Sequence, residues 1–316
     1  MSEKKVIAVV GATGAQGGGL VRAILEDTAG EFAVRAITRN KESEKAKALA
    51  AAGAEVVEAD LDSTESLTQA FAGAYGAFGV TNFWEHFSPE KELEQAGNLA
   101  QAAKAAGVQH FIWSTLEDTR KRVPIESDQM PTLQGKYKVP HFDAKGEADA
   151  LFAKAGVPTT YLLTSFYWDN LIHFGMGPQR GPDGNLAIAF PMDEAKLPGI
   201  AGEDIGRAAY GVFKRGSELI GKYVGIAGEH LSGSEMAQKL TAATGQSISF
   251  YAISPDAYRG LGFPGADDLG NMFQFKRDFE SEFRAARDVD FTRSLNPSLK
   301  SFDAWLNENK AAIPIP

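Results

Sequence analysis

A short apolar run, Val6-Ile-Ala-Val-Val10, leads straight into Gly11-Ala-Thr-Gly14-Ala-Gln-Gly17-Gly-Gly, and an apolar-periodic segment from Leu20 to Leu25 follows. A strand, glycines at i, i+3 and i+6, and then a helix leave the chain few folds. The first glycine permits a tight turn, and the second lets the backbone approach a bulky anion. The third brings helix and strand close together. The helix N-terminus then faces that anion with free N–H groups and a partial positive charge. With 33 glycines in 316 residues such spacings arise by chance, so the flanking strand and helix carry the weight. Gly11, Gly14 and Gly17 are read as a dinucleotide-binding loop.

The same beat of short β-rich and longer helical segments continues through the first half. Strands are predicted over Val6–Val10, Ala33–Thr38, Glu55–Glu58, Gly76–Val80, Phe111–Ser114 and Thr159–Leu163. Helices are predicted over Gln16–Asp27, Ser43–Ala52, Thr64–Phe71, Glu90–Ala106 and Pro140–Ala155. Gly53, Gly107 and Gly156 punctuate helix ends. Right-handed crossovers turn this pattern into an α/β fold, a doubly wound Rossmann-type parallel sheet covered on both faces. After about residue 165 the beat is lost, and aromatics, Gly and Pro become frequent. The division is therefore 1–165 for the nucleotide domain and 166–316 for a smaller α+β region. Tyr223–Ala227 and Ser247–Ala252 are late strands that could return to either layer.

Bulk properties narrow the classes further. A hydrophobic share of 44% and a charged share of 23% are those of a globular protein. No apolar run approaches the ~20 residues that span a bilayer, and the N-terminus lacks a signal-peptide core. The absence of cysteine removes disulfides and thiolate chemistry and fits a cytoplasmic protein, or one also nuclear in a eukaryote. A net charge of −9 opposes a broad nucleic-acid face. The basic Arg120-Lys-Arg122 is read as a solvated loop, and no metal-ligand cluster is expected.

An NAD-specific fold carries an acid about 20 residues beyond the glycines, at the end of the second strand. Here that place reads Thr38-Arg39-Asn40-Lys41. Arg39 offers a bidentate guanidinium to a 2′-phosphate, and Lys41 a second charge, so NADP(H) is expected. Strand ends place Asp60 and Leu61 beside the adenine, and Thr81, Asn82 and Phe83 beside the pyrophosphate and nicotinamide ribose.

A conventional dehydrogenase of this type has Tyr-x-x-x-Lys on the helix after the fifth strand. This chain has Pro140-His141-Phe-Asp-Ala-Lys145, so His141 takes the tyrosine's slot. Tyr137 precedes the helix and cannot reproduce the spacing. Lys145, one turn on, suits a ribose ligand. A neighbouring ammonium favours neutral imidazole, which makes His141 a poor proton donor on this reading. Ser114 and Thr115 fall where a substrate-polarising hydroxyl would stand.

The glycine loop, the Thr81-Asn-Phe-Trp84 run and the His141–Glu147 helix start resemble NmrA-like proteins, atypical members of the short-chain dehydrogenase superfamily. Leu261-Gly-Phe-Pro-Gly-Ala-Asp-Asp-Leu269, Asn271-Met-Phe and Leu295-Asn-Pro strengthen the likeness, since nucleotide binding does not require them. The resemblance implies NADP(H) contacts from Gly11, Thr13, Gly14, Ala15, Gln16 and Gly17, from Arg39, Lys41, Asp60, Leu61, Thr81, Asn82, Phe83 and Lys145, and from Tyr167, Trp168, Asp169 and Asn170. Glu94 stands near where the redox-sensing members have a basic contact. The resemblance also implies a sensor of the NADPH/NADP⁺ ratio, acting through a regulatory protein partner and open to homodimer formation. The alternative is an NADPH-dependent reductase of a small carbonyl, quinone or enone, with Lys145 and His141 moving the proton. Phe166, Tyr167, Trp168, Phe174, Phe273 and Phe275 would then line its pocket, or else be core.

Overall fold

The computed structural model describes residues 4–181 and 183–316. Its first half runs β1 (Lys5–Val9), α1 (Ala15–Glu26), β2 (Phe32–Thr38), α2 (Glu44–Ala51), β3 (Glu55–Glu58), α3 (Thr64–Phe71), β4 (Gly76–Gly79), α4 (Pro89–Ala105), β5 (His110–Thr115), α5 (Pro140–Ala155) and β6 (Thr159–Leu163). Ser43, Ser63 and Ser88 start helices by accepting the backbone N–H three residues on. Gly53, Gly107 and Gly156 follow helices at φ of 102°, 70° and 67°, the left-handed region that glycine enters without steric cost.

The second half supplies β7 (Phe166–Tyr167), α6 (Asn170–His173), β8 (Gln179–Arg180), β9 (Leu186–Ala189), β10 (Leu197–Ile200), α7 (Gly202–Lys214), β11 (Tyr223–Gly225), β12 (Glu229–Leu231), α8 (Gly233–Thr244), β13 (Ile248–Tyr251), α9 (Pro255–Arg259) and α10 (Ala266–Asp278). The principal sheet is seven-stranded and parallel, in the order β11-β6-β5-β4-β1-β2-β3. The segment around Tyr223 thus rejoins the nucleotide sheet as its outer strand beside β6. The segment around Ser249 joins β9 and β8 in a separate three-stranded sheet. A third sheet holds β12, β10 and β7.

Alternation along β1 explains the layers. Ile7 and Val9 face a core shared with Leu20 and Ile24 of α1 and Val212 and Phe213 of α7. Ala8 and Val10 face the opposite core, with Phe71, Leu99, Trp113 and Phe152. Helix α7 therefore covers the nucleotide sheet although it lies more than 175 residues after α1 in the chain. A third core, containing Phe166, Trp168, Phe190, Phe273 and Trp305, fills the second half. Among the described residues no helix is long and apolar enough to cross a membrane.

Candidate functional site

The strand order reverses at β1, with β2 on one side and β4 on the other. A crevice opens at such a reversal, beyond the carboxyl ends of the strands. A cleft of about 920 Å³ lies there. Its floor is the glycine loop. Gly11 turns at φ +67°. A side chain at Gly17 would put its Cβ 2.4 Å from the Gly11 carbonyl oxygen, so only glycine brings α1 this near β1. Gly14 is the N-cap of α1, in an extended conformation and with no side chain capping the helix. The first-turn N–H groups therefore remain available to an anion, as a bound pyrophosphate requires. Gln16 donates to the Tyr167 hydroxyl, while its own carbonyl oxygen Oε1 is buried without a hydrogen-bond partner.

Nearly every residue singled out from the sequence lines this cleft: Gly11, Thr13, Gly14, Ala15, Gln16, Gly17, Arg39, Asp60, Leu61, Thr81, Asn82, Phe83, His141, Lys145, Tyr167, Asp169 and Asn170. Two do not. The Trp168 indole is packed in the third core against Phe302 and Trp305 and contributes no wall. Lys41 is exposed outside the cleft, with its backbone N–H toward Glu58. Asp169 is partly committed, because its Oδ2 accepts the Gly202 N–H at the start of α7. Of the candidate aromatics, Phe166, Tyr167 and Phe174 line the cleft, whereas Phe273 and Phe275 are core. Tyr167 makes a poor acid, because burial pushes its phenol up to about 12.

Arg39 stands at the mouth and is ion-paired with Glu85. Lys91, one turn before Glu94, also lines the cleft, and pairs with Asp62 at 3.0 Å and Glu94 at 3.2 Å. A basic side chain is thus present on this helix where Glu94 alone argued against one. Arg120 is held by Asp118 and Glu147.

Deeper in, Lys145 extends from α5 to the end of β4. Its Nζ lies 2.5 Å from Glu92 Oε1 and donates to Thr81 Oγ1 at 2.7 Å. Glu92 is completely buried. Its second oxygen, Oε2, has no hydrogen-bond partner and lies 3.6 Å from His86 Nε2, which also has none. The Thr115 hydroxyl is spent on Asp149 at 2.7 Å and on the Lys145 carbonyl, whereas Ser114 lines the cleft.

His141 is also not as the helix alone implied. Its Nδ1 lies 2.7 Å from Asp268 Oδ1 in α10, and its backbone N–H donates to Asp268 Oδ2 at 3.2 Å. The ring packs 4.7 Å from that of Trp84. Lys145 therefore does not set the field at His141 by itself: its charge is met by Glu92, and a carboxylate 127 residues away holds the imidazole. With Nδ1 bound to that carboxylate, Nε2 is the nitrogen left for a ligand in the cleft.

Glu92 and Asp268 escaped the sequence reading. In Pro89-Glu-Lys-Glu92 an acid reads as an ordinary first-turn residue that favours the helix dipole. Asp268 lay within the conspicuous Gly-Ala-Asp-Asp block, but nothing local tied it to His141.

Residues 3–306 match the NmrA-like family. The NmrA-like family domain-containing oxidoreductase FrzB of a Cladobotryum species is 29% identical over 295 residues, covering 85% of this chain and 83% of that protein. The crystal structure of NmrA, a negative transcriptional regulator in complex with NADP, superposes with a TM-score of 0.77 at 24% identity, over 97% of this chain and 95% of that one. Triphenylmethane reductase of a Citrobacter species, complexed with NADP(H), gives 0.74 at 22% identity, over 96% and 99%.

Proposed function

The chain belongs to the NmrA-like family, and from that premise we propose that it binds NADP(H) in this cleft and reduces a small, largely apolar carbonyl, quinone or enone. The supporting observation is that the cleft does not end at the glycine loop. It continues into a compartment walled by Phe142, Phe166, Met176, Leu269 and Met272, with the Asp268-held His141 at its edge. An oriented imidazole facing an apolar chamber is an arrangement for moving one proton at a bound molecule.

The uncapped first turn of α1 and the close-packed Gly17 fit a pyrophosphate, and Arg39 fits the 2′-phosphate. Bound NADPH supplies a hydride. Lys145 and Thr81 present donors to the ribose, with Glu92 holding the ammonium in place. His141 Nε2 gives its proton to the developing oxyanion, and Asp268 balances the imidazolium before the transfer.

Two measurements test this. A panel of aldehydes, quinones and enones should include acceptors that oxidise NADPH above background. His141→Ala should lower that turnover by ~100-fold or more, the usual contribution of a positioned acid. No oxidation with any class would end the reductase reading. Arg39→Ala should weaken NADPH at least about tenfold and leave NADH nearly unchanged, since a charged hydrogen bond is worth ~1.5–3 kcal/mol. An unaltered preference in a titration would remove Arg39 from cofactor choice.

A redox-sensing role is the second reading, favoured by the absence of the usual tyrosine and by the engagement of Lys145 with Glu92. Sensing requires NADPH and NADP⁺ to bind two conformations unequally. Identical oligomeric state and partner affinity with either form would rule it out.

A further inference from the structure

Four lysine and arginine side chains line the cleft, and three of them are matched to carboxylates: Arg39 to Glu85, Lys91 to Asp62 and Lys145 to Glu92. The fourth is Lys276, near the end of α10. It is 4% exposed, and among the described residues no carboxylate lies within ion-pair reach of it. Its Nζ touches only the Met272 thioether, at 3.3 Å, and the faces of three rings. The centroids of Phe142, Phe283 and Phe273 lie 5.4, 5.5 and 5.7 Å away.

Rings and a thioether repay only part of the cost of desolvating an ammonium. The nearest full charges do not supply the rest. Arg287 and Glu117 are bound to each other through both guanidinium nitrogens, and Arg287 repels the lysine. On the other side, Asp268 is engaged by His141. Burial, with Arg287 second, pulls the Lys276 amine down to about 7. An amine so placed takes up a proton when a negative charge arrives beside it.

Position along the helix indicates what would bring that charge. Asp268, Met272 and Lys276 follow at i, i+4 and i+8, along one face of α10, so His141 and Lys276 mark two ends of the same chamber. Eight residues rise about 12 Å, and a helical lysine leans back toward the helix start. The separation suits a single ring substituted at both ends.

We propose that Lys276 anchors the carboxylate of a flat, aromatic or conjugated substrate, whose reacting carbonyl then lies toward His141. This rests on the reductase reading for the identity of the reacting group, but the anion site itself is open to a test without turnover.

The test is calorimetry of the NADP⁺-saturated protein, which cannot reduce, with 4-formylbenzoate and with its neutral methyl ester. The wild type should bind the carboxylate at least tenfold more tightly than the ester. Above pH 7.5 its binding heat should differ between buffers of unlike ionisation enthalpy, showing proton uptake that the ester lacks. Lys276→Met should abolish both the preference and the proton uptake while keeping its affinity for NADP⁺. Equal wild-type affinities, no binding of either probe, or a preference retained in Lys276→Met would each overturn the proposal. The proton-uptake comparison within the wild type decides the matter even where the variant folds poorly. Selective binding of the carboxylate, with no acceptor oxidising NADPH, would sustain the anion site and refute the reductase reading alone.

Discussion

Replacing Glu92 by leucine is expected to destabilise the protein by about 3–5 kcal/mol, the typical cost of stripping a buried ion pair of one member. The variant leaves the Lys145 ammonium against the Thr81 carbonyl and hydroxyl with no negative charge behind it. Glu92→Gln should cost less, since an amide oxygen can still accept from Lys145 and Thr81. The double variant Glu92→Leu with Lys145→Met should recover much of the loss, because an apolar pair of similar volume carries no uncompensated charge. Denaturant unfolding of the four proteins measures the coupling directly. A double variant as unstable as the sum of the two single ones would show that Glu92 acts through packing and not through Lys145.

The second large effect is expected far from the chemistry. A Cβ at Gly206 in α7 would lie 2.1 Å from the Leu20 amide nitrogen and 2.4 Å from the Gln16 carbonyl oxygen. Reciprocally, a Cβ at Gly19 in α1 would lie 2.3 Å from the Glu203 carbonyl oxygen. The two helices meet backbone to backbone, and any side chain at the crossing must push them apart. Gly206→Val should cost about 3 kcal/mol or more and lower Tm by at least about 5 °C. Because the displaced segment begins at Gln16, cofactor affinity should fall as well. Thermal unfolding with and without NADP⁺ reads both effects. A Tm within a degree or two of the wild type would mean that the helices are free to slide.

These variants show where reading the sequence succeeds and where it stops. The glycine loop was legible because its geometry is local: a turn, a close approach and a helix start lie within seven residues. The strand ends at Asp60 and Thr81 were legible because parallel α/β connectivity fixes which end of each strand faces the ligand. Trp168 was misplaced because an aromatic beside pocket residues looks the same whether it points into the cleft or, as here, into the core. Lys41 was misplaced because charge near a strand end says nothing of direction. Asp268 and Lys276 stayed hidden for another reason. They reach the cleft only because α10 packs against α5, and no periodicity in either helix records that meeting.

The sequence by itself therefore determined the parallel sheet, the nucleotide loop, the basic residue beyond β2 and the loss of the catalytic tyrosine. Each follows from spacing along the chain or from the residue type at a fixed position. Only the tertiary structure decided which charges neutralise one another. Lys145 was assigned beside His141 from the helix, yet its partner is Glu92, and the partner of His141 is Asp268. Electrostatic and packing energies depend on distance in space, and the carboxylate nearest in space to each of these groups lies 53 and 127 residues away in the chain.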